Sequence, residues 1–241
     1  MGKRVLRPGG KELTKLLIKQ LNINKLDDVV EFAPGLGYTA RLALKCSPRT
    51  YTAVELNEEV AGRLGSLIKG EGRRIVLGHA AQTGLDDAAY SKVYGEAMLS
   101  MQADHRKSEI IREAFRLLRK GGLYGIHELG LKPVDIAPDT KADIQLELAE
   151  AIQVNARPLT IQEWSDLLEH AGFIIREQYS NPMHLLEPLR LLDDEGWIRT
   201  LEIVFNALTH PVERKRILVM RRVFRKYRNH LNAVCIVAEK N

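Results

Sequence analysis

Two acids and two glycines are the residues of this 241-residue chain whose types and spacing promise chemistry. Glu31-Phe32-Ala33-Pro34-Gly35-Leu36-Gly37 follows the apolar pair Val29-Val30, and Glu55 closes a second apolar run 24 positions after Glu31. Gly35 and Gly37 permit positive φ and a close backbone approach to a ligand, and the N–H groups of a helix starting there can bind a carboxylate or phosphate. An acid at the end of the second strand can accept hydrogen bonds from both hydroxyls of a ribose. The set reads as a cradle for an adenosine cofactor.

The periodicities around these residues say how they are held. Leu13, Leu16, Leu17 and Leu21 recur at helical spacing behind Arg7-Pro8-Gly9-Gly10, which predicts a helix over residues 11 to 21. Strands are expected over residues 28 to 33, 50 to 55, 73 to 77, 92 to 99 and 122 to 128. Helices are expected over 38 to 46, 57 to 69 and 106 to 119, the last stopped by Gly121-Gly122. Thr160 and Glu163 form a capping box, and Gly172 stops the helix they open. Strands separated by helices make an α/β fold with a doubly wound, mostly parallel sheet, whose ligands lie at the carboxyl ends of its strands.

Two cofactors compete for the cradle. Gly35-x-Gly37-x-x-Ala40 also satisfies the loose dinucleotide pattern, so the glycines leave NAD open. Glu31 argues for a cation, because an acid beside the turn would repel a pyrophosphate. S-adenosylmethionine carries a sulfonium and an ammonium. Here the chain resembles the class I S-adenosylmethionine-dependent methyltransferases, whose first motif is an acid followed by alternating glycines, with Ala33 standing at the first glycine position. Leu117-Leu118-Arg119-Lys120-Gly121-Gly122-Leu123-Tyr124 resembles the family's entry into strand five, and the phrase ending in Ala171-Gly172-Phe173 its entry into strand six. The resemblance covers residues 26 to 181, with 231 to 239 as the last strand, and is nearest to the small-molecule group that includes ubiquinone/menaquinone C-methyltransferases.

That resemblance implies a Rossmann-like, seven-stranded sheet with an antiparallel last strand and helical insertions. It assigns Glu31, Ala33, Gly35 and Gly37 to the methionine end of the cofactor, Glu55 to the ribose, Leu56 to the adenine, and Glu96 to the sulfonium pocket. His79-Ala80 stands where the family often has Asp-Ala, so the backbone there serves the adenine. If the acceptor must lose a proton, His127, after Gly125-Ile126 at the end of strand five, is the candidate base, since an unperturbed imidazole titrates near ~6.5. Glu128, Tyr38, His184 and Arg7 are further candidates for contact with the acceptor. Nucleic-acid methylation is an alternative, although Glu96-Ala97-Met98-Leu99 occupies the place of the Pro-Pro-aromatic motif of base-methylating enzymes. An NAD-dependent oxidoreductase and a non-catalytic cofactor-binding protein also stay open.

The net charge of +5 belongs to one segment: residues 211 to 230 carry +7, so the rest of the chain carries −2. On a helix the bases Arg214, Arg221, Arg225 and Arg228 form one stripe and Ile217, Met220, Val223, Phe224 and Tyr227 another. The basic face, with Arg222, suits an acidic acceptor, an anionic membrane surface or a nucleic acid, and a solvated helix face is its plain reading. No stable nucleic-acid complex is expected. The segment lies in an insertion, residues 182 to 230, read as helices near 186 to 208 and 211 to 228 broken at His210-Pro211. A substrate cap and a homodimer surface are equal readings of it, and residues 131 to 160 are a second candidate lid on a single domain of residues 1 to 241 with an N-terminal helical segment over 1 to 25. Cys46 and Cys235 stand apart without metal spacing, so no metal is expected. The N-terminal residues lack an apolar core of leader length, and no apolar run spans a bilayer, which gives the expectation of a cytoplasmic protein.

Overall fold

The computed structural model describes residues 8–183 and 211–241. Five strands run parallel: β1 (Asp28–Phe32), β2 (Thr50–Glu55), β3 (Arg73–Leu77), β4 (Tyr90–Glu96) and β5 (Leu118–Leu131). A two-residue strand, β6 (Leu159–Thr160), pairs with the end of β5. The main sheet is completed by β7 (Phe173–Pro182) and by β8 (Leu231–Lys240), which is antiparallel to both of its neighbours. The order is β3-β2-β1-β4-β5-β8-β7. It is the mostly parallel, Rossmann-like sheet with an antiparallel last strand that the sequence predicts, and its order reverses between β1 and β4, where such sheets open a ligand crevice.

Three helices cover one face: α1 (Gly10–Leu21), α2 (Tyr38–Lys45) and α3 (Glu58–Leu64). Leu13, Leu17 and Leu21 of α1 are buried with Val29, Tyr51, Tyr94 and Cys235 of the strands, each large apolar side chain contributing about 1.5–3 kcal/mol. On the other face lie α4 (Asp104–Leu117) and α6 (Ile161–His170), which bury Ile110, Ile111, Leu117, Trp164 and Leu168 against Val30, Phe32 and Ile126. The Thr160–Glu163 capping box that starts α6 is formed. A third apolar cluster caps the carboxyl end of β5, where α5 (Pro138–Ile152) and α7 (Pro211–Lys226) enclose Leu129, Leu131 and Leu231. α7 is described from Pro211 onward; the helix expected over 186 to 208 and the break expected at His210-Pro211 lie outside the described residues or at their edge.

Several boundaries differ from expectation for reasons that are not local. The strand expected over 92 to 99 ends at Glu96, because Ala97 turns to φ +52 and the buried Glu128 carboxylate accepts N–H bonds from Met98, Leu99 and Ser100 at 2.8–3.0 Å. The helix expected to run to residue 119 ends at Leu117, and Leu118 is already extended, so Gly121-Gly122 is a bend within β5 and not a helix stop. Strand five itself reaches Leu131, three residues beyond the expected end. Helix α3 stops at Leu64, five residues early. Between β3 and β4 the chain crosses without a helix, and Glu113 of α4 ties that crossover down by accepting from the Thr83 N–H at 2.8 Å and its hydroxyl at 2.6 Å.

Candidate cofactor and active site

The cradle stands at the switch point. Gly35 and Gly37 have φ of +55° and +75°, and Gly37 precedes the first residue of α2, whose leading N–H groups receive no side-chain cap. Those donors are therefore available to an anion. The two glycines do different work. A methyl at Gly37 would fall 2.6 Å from Leu67 and 2.9 Å from Leu64, so this glycine lets the turn pack on the α3 segment, whereas a methyl at Gly35 would have the Ala33 carbonyl oxygen, at 4.0 Å, as its nearest neighbour. Ala33 also takes a left-handed φ of +50°, and its N–H donates to the Val54 carbonyl at 2.8 Å.

Glu31 lies beneath the turn, 2% exposed, and its Oε2 accepts from the hydroxyls of Tyr51 and, at 2.7 Å, Tyr94. Burial, and then the charge of Glu31, push both phenols well above their ordinary range, so they remain donors. The tyrosines did not emerge from the motif. Pairing β1 with β4 would have found one of them, since Tyr94 is the register partner of Glu31.

Along the neighbouring strand ends, Glu55 is nearly buried and accepts from the Asn57 N–H at 3.0 Å. Leu56 follows it, 65% exposed, with Leu77 of β3, 56% exposed, in register with Glu55. Two exposed leucines on adjacent strand ends offer an apolar seat for a flat ring. The imidazole of His79 turns back on its own loop, Nδ1 accepting from the Ala81 N–H at 3.0 Å, and Ala80 is buried beside it. The side chain thus shapes the loop.

Glu96 and His127 are neighbours in register across β4 and β5. The Glu96 side chain is 3% exposed; Oε2 accepts from the Thr39 hydroxyl in the first turn of α2, and Oε1 lies 2.9 Å from His127 Nδ1. His127 is fully buried, and its Nε2 meets the Pro8 carbonyl at 2.5 Å. A carbonyl can only accept, so Nε2 is the nitrogen that carries a hydrogen there, and Nδ1 faces the Glu96 carboxylate. The chain of bonds Thr39–Glu96–His127–Pro8 joins the cofactor turn to the segment entering α1. Sequence placed His127 at the carboxyl end of strand five as the candidate base; the structure sets it four residues inside β5 with both nitrogens engaged. The sequence marks Pro8 only as part of the turn before α1 and gives Thr39 no motif.

Of the other acceptor candidates, Glu128 is fully buried and serves the turn after β4, with burial pushing its carboxyl up against the pull of the Ser100, Leu99 and Met98 donors. Tyr38 opens α2, half-buried, with the Lys11 ammonium 6.0 Å from its ring centre. His184 and Arg7 lie outside the described residues. Among the described residues no three His, Cys, Asp or Glu side chains form a metal cluster, and no helix is long and apolar enough to cross a membrane.

Comparison with known proteins agrees with this geometry. Residues 30–126, which span the cradle, Glu55, His79, Glu96 and Ile126, match the methyltransferase-domain family of type 11. An uncharacterised protein of Haemophilus influenzae is 28% identical over 244 residues, covering all of this chain and 95% of its own length. Among solved structures, phosphoethanolamine N-methyltransferase 2 of Haemonchus contortus, in complex with S-adenosyl-L-methionine, superposes with a TM-score of 0.73 at 15% identity, over 99% of this chain and 54% of that one. The YcgJ protein of Bacillus subtilis superposes at 0.68 and 15% identity, over 96% and 99% of the two chains.

Proposed function

Starting from a chain that is a class I S-adenosylmethionine-dependent methyltransferase of the type 11 group, we propose that it methylates a small, lipid-like acceptor at the carboxyl ends of β4 and β5. The cofactor, when bound, supplies a methyl group made electrophilic by its sulfonium. The turn at Gly35 and the first N–H groups of α2 hold its carboxylate. Glu31, with Tyr51 and Tyr94, supplies negative charge below the methionine end. Glu55 accepts from the ribose hydroxyls, while Leu56 and the His79-Ala80 backbone bound the adenine. Glu96 is the carboxylate beside the sulfonium, and His127 acts through it as a positioning residue. In-line transfer gains most of its rate from alignment and exclusion of water, and the buried Pro8-Gly9-Gly10 segment, bonded to His127, keeps solvent from Glu96.

The observation that carries the lipid-like reading is the apolar layer at the end of β5, where Ile144 and Leu148 of α5 and Val223 and Phe224 of α7 pack with Leu129 and Leu131. A polar acceptor would need donors and acceptors from that side. The test is to incubate the protein with cofactor carrying a labelled methyl group and a cell extract, then separate organic and aqueous phases. Label is expected in the organic phase. Label confined to water-soluble metabolites or to nucleic acid would refute the reading.

A further inference from the structure

We propose that the outer face of α7 docks on an anionic lipid bilayer. At about 100° per residue, Lys215, Leu218, Val219, Arg222, Arg225 and Lys226 share one arc of α7, and all six are exposed. Arg221, which the sequence places on the basic stripe, is instead half-buried with an orphaned Nε, and the side chain of Arg214 lies outside the described residues. The inner face, Met220, Val223, Phe224 and Tyr227, is buried in the apolar layer over β5, so the outer face is the one left for a partner. Lys226 pairs with Glu147 of α5, while among the described residues no carboxylate forms an ion pair with Lys215, Arg222 or Arg225.

The charge of this arc is positive throughout, which complements an anionic surface. Its two exposed apolar residues choose among such surfaces. Leu218 is 53% and Val219 38% exposed in the middle of the cations. Against a phosphodiester backbone they would meet only polar groups, whereas at a bilayer they enter the acyl boundary while the bases reach the headgroups. Docking does not depend on the proposed acceptor, because it is measured without turnover.

The experiment is flotation of the whole chain with phosphatidylcholine vesicles, with and without phosphatidylglycerol. Binding is expected only with the anionic lipid, and falling as salt rises. Neutralising Lys215, Arg222 and Arg225 together to Gln should weaken it by about fivefold per cation. Leu218→Ser with Val219→Ser should weaken it further even at high salt, a loss that nucleic-acid binding would not register. An unchanged thermal shift with S-adenosylhomocysteine verifies that each variant is folded. The proposal is overturned by equal flotation with neutral vesicles, by Gln variants that float like the parent, or by salt-dependent binding of duplex nucleic acid that ignores the Ser pair.

Discussion

Ala33 sits at φ +50° in the turn where the family has glycine. A Cβ in that region costs roughly 1–2 kcal/mol, of which glycine's extra freedom in the unfolded chain offsets part. Ala33→Gly should therefore raise stability by about 0.5–1 kcal/mol, or about 1–4 °C in Tm at this chain length, and thermal unfolding that moves downward would refute the strain account. Ala97, at the end of β4, has the same conformation at φ +52°, so both strand ends that flank the switch point hold strained alanines, as ligand-binding turns often do. Glu96 and His127 make a buried pair whose partners are costly to separate. Denaturant unfolding of the parent, Glu96→Gln, His127→Gln and the double variant should yield a coupling of about 1–3 kcal/mol; additive losses would show that the two residues stabilise the site independently. The motif announced Glu31, the glycines and Glu55, whereas the partners of Glu31 and Glu96 are spread over β2, β4, β5 and α2.

At the scale of elements, strands and helices were legible because apolar periods of 2 and 3.6 switch in turn along the chain, and the capping box of α6 was legible from two residues. The ends of β4, α4 and β5 were not, since a buried carboxylate and an extended Leu118 decide them. The crossover between β3 and β4 is held by Glu113 in place of a helix. Burial would raise that carboxyl, but the Arg116 guanidinium and the Thr83 donors outweigh it and hold it below its usual range. A carboxyl lowered in the folded state contributes stability that is present above its unfolded pKa and lost as pH falls through the folded one. Glu113→Gln should thus cost about 1–3 kcal/mol near neutrality and flatten the acid limb of the stability curve. Urea titrations at a series of pH values would check it, and an acid limb identical to the parent's would assign the pH dependence elsewhere.

For the whole molecule, the doubly wound sheet places the ends of β1 and β4 side by side, and that one topological fact makes a site of residues 65 positions apart, Glu31 and Glu96. The amphipathic pattern of residues 211 to 228 foretold a helix with an apolar and a basic side, yet Arg221 of the expected basic stripe is half-buried, and the exposed bases Lys215, Arg222, Arg225, Lys226 and Arg228 have Leu218 and Val219 among them. The chain's own order of residues determined the cradle, the alternation of strands and helices and the cofactor class, because glycine conformations, an acid near a turn and hydrophobic periods act within a few positions. Tertiary structure alone decided that Tyr51 and Tyr94 hold Glu31, and that His127 is locked between Glu96 and Pro8 instead of open to an acceptor. Those contacts cross 31 and 119 positions of chain, and they exist only once sheet register and the packing of α1 bring the groups together.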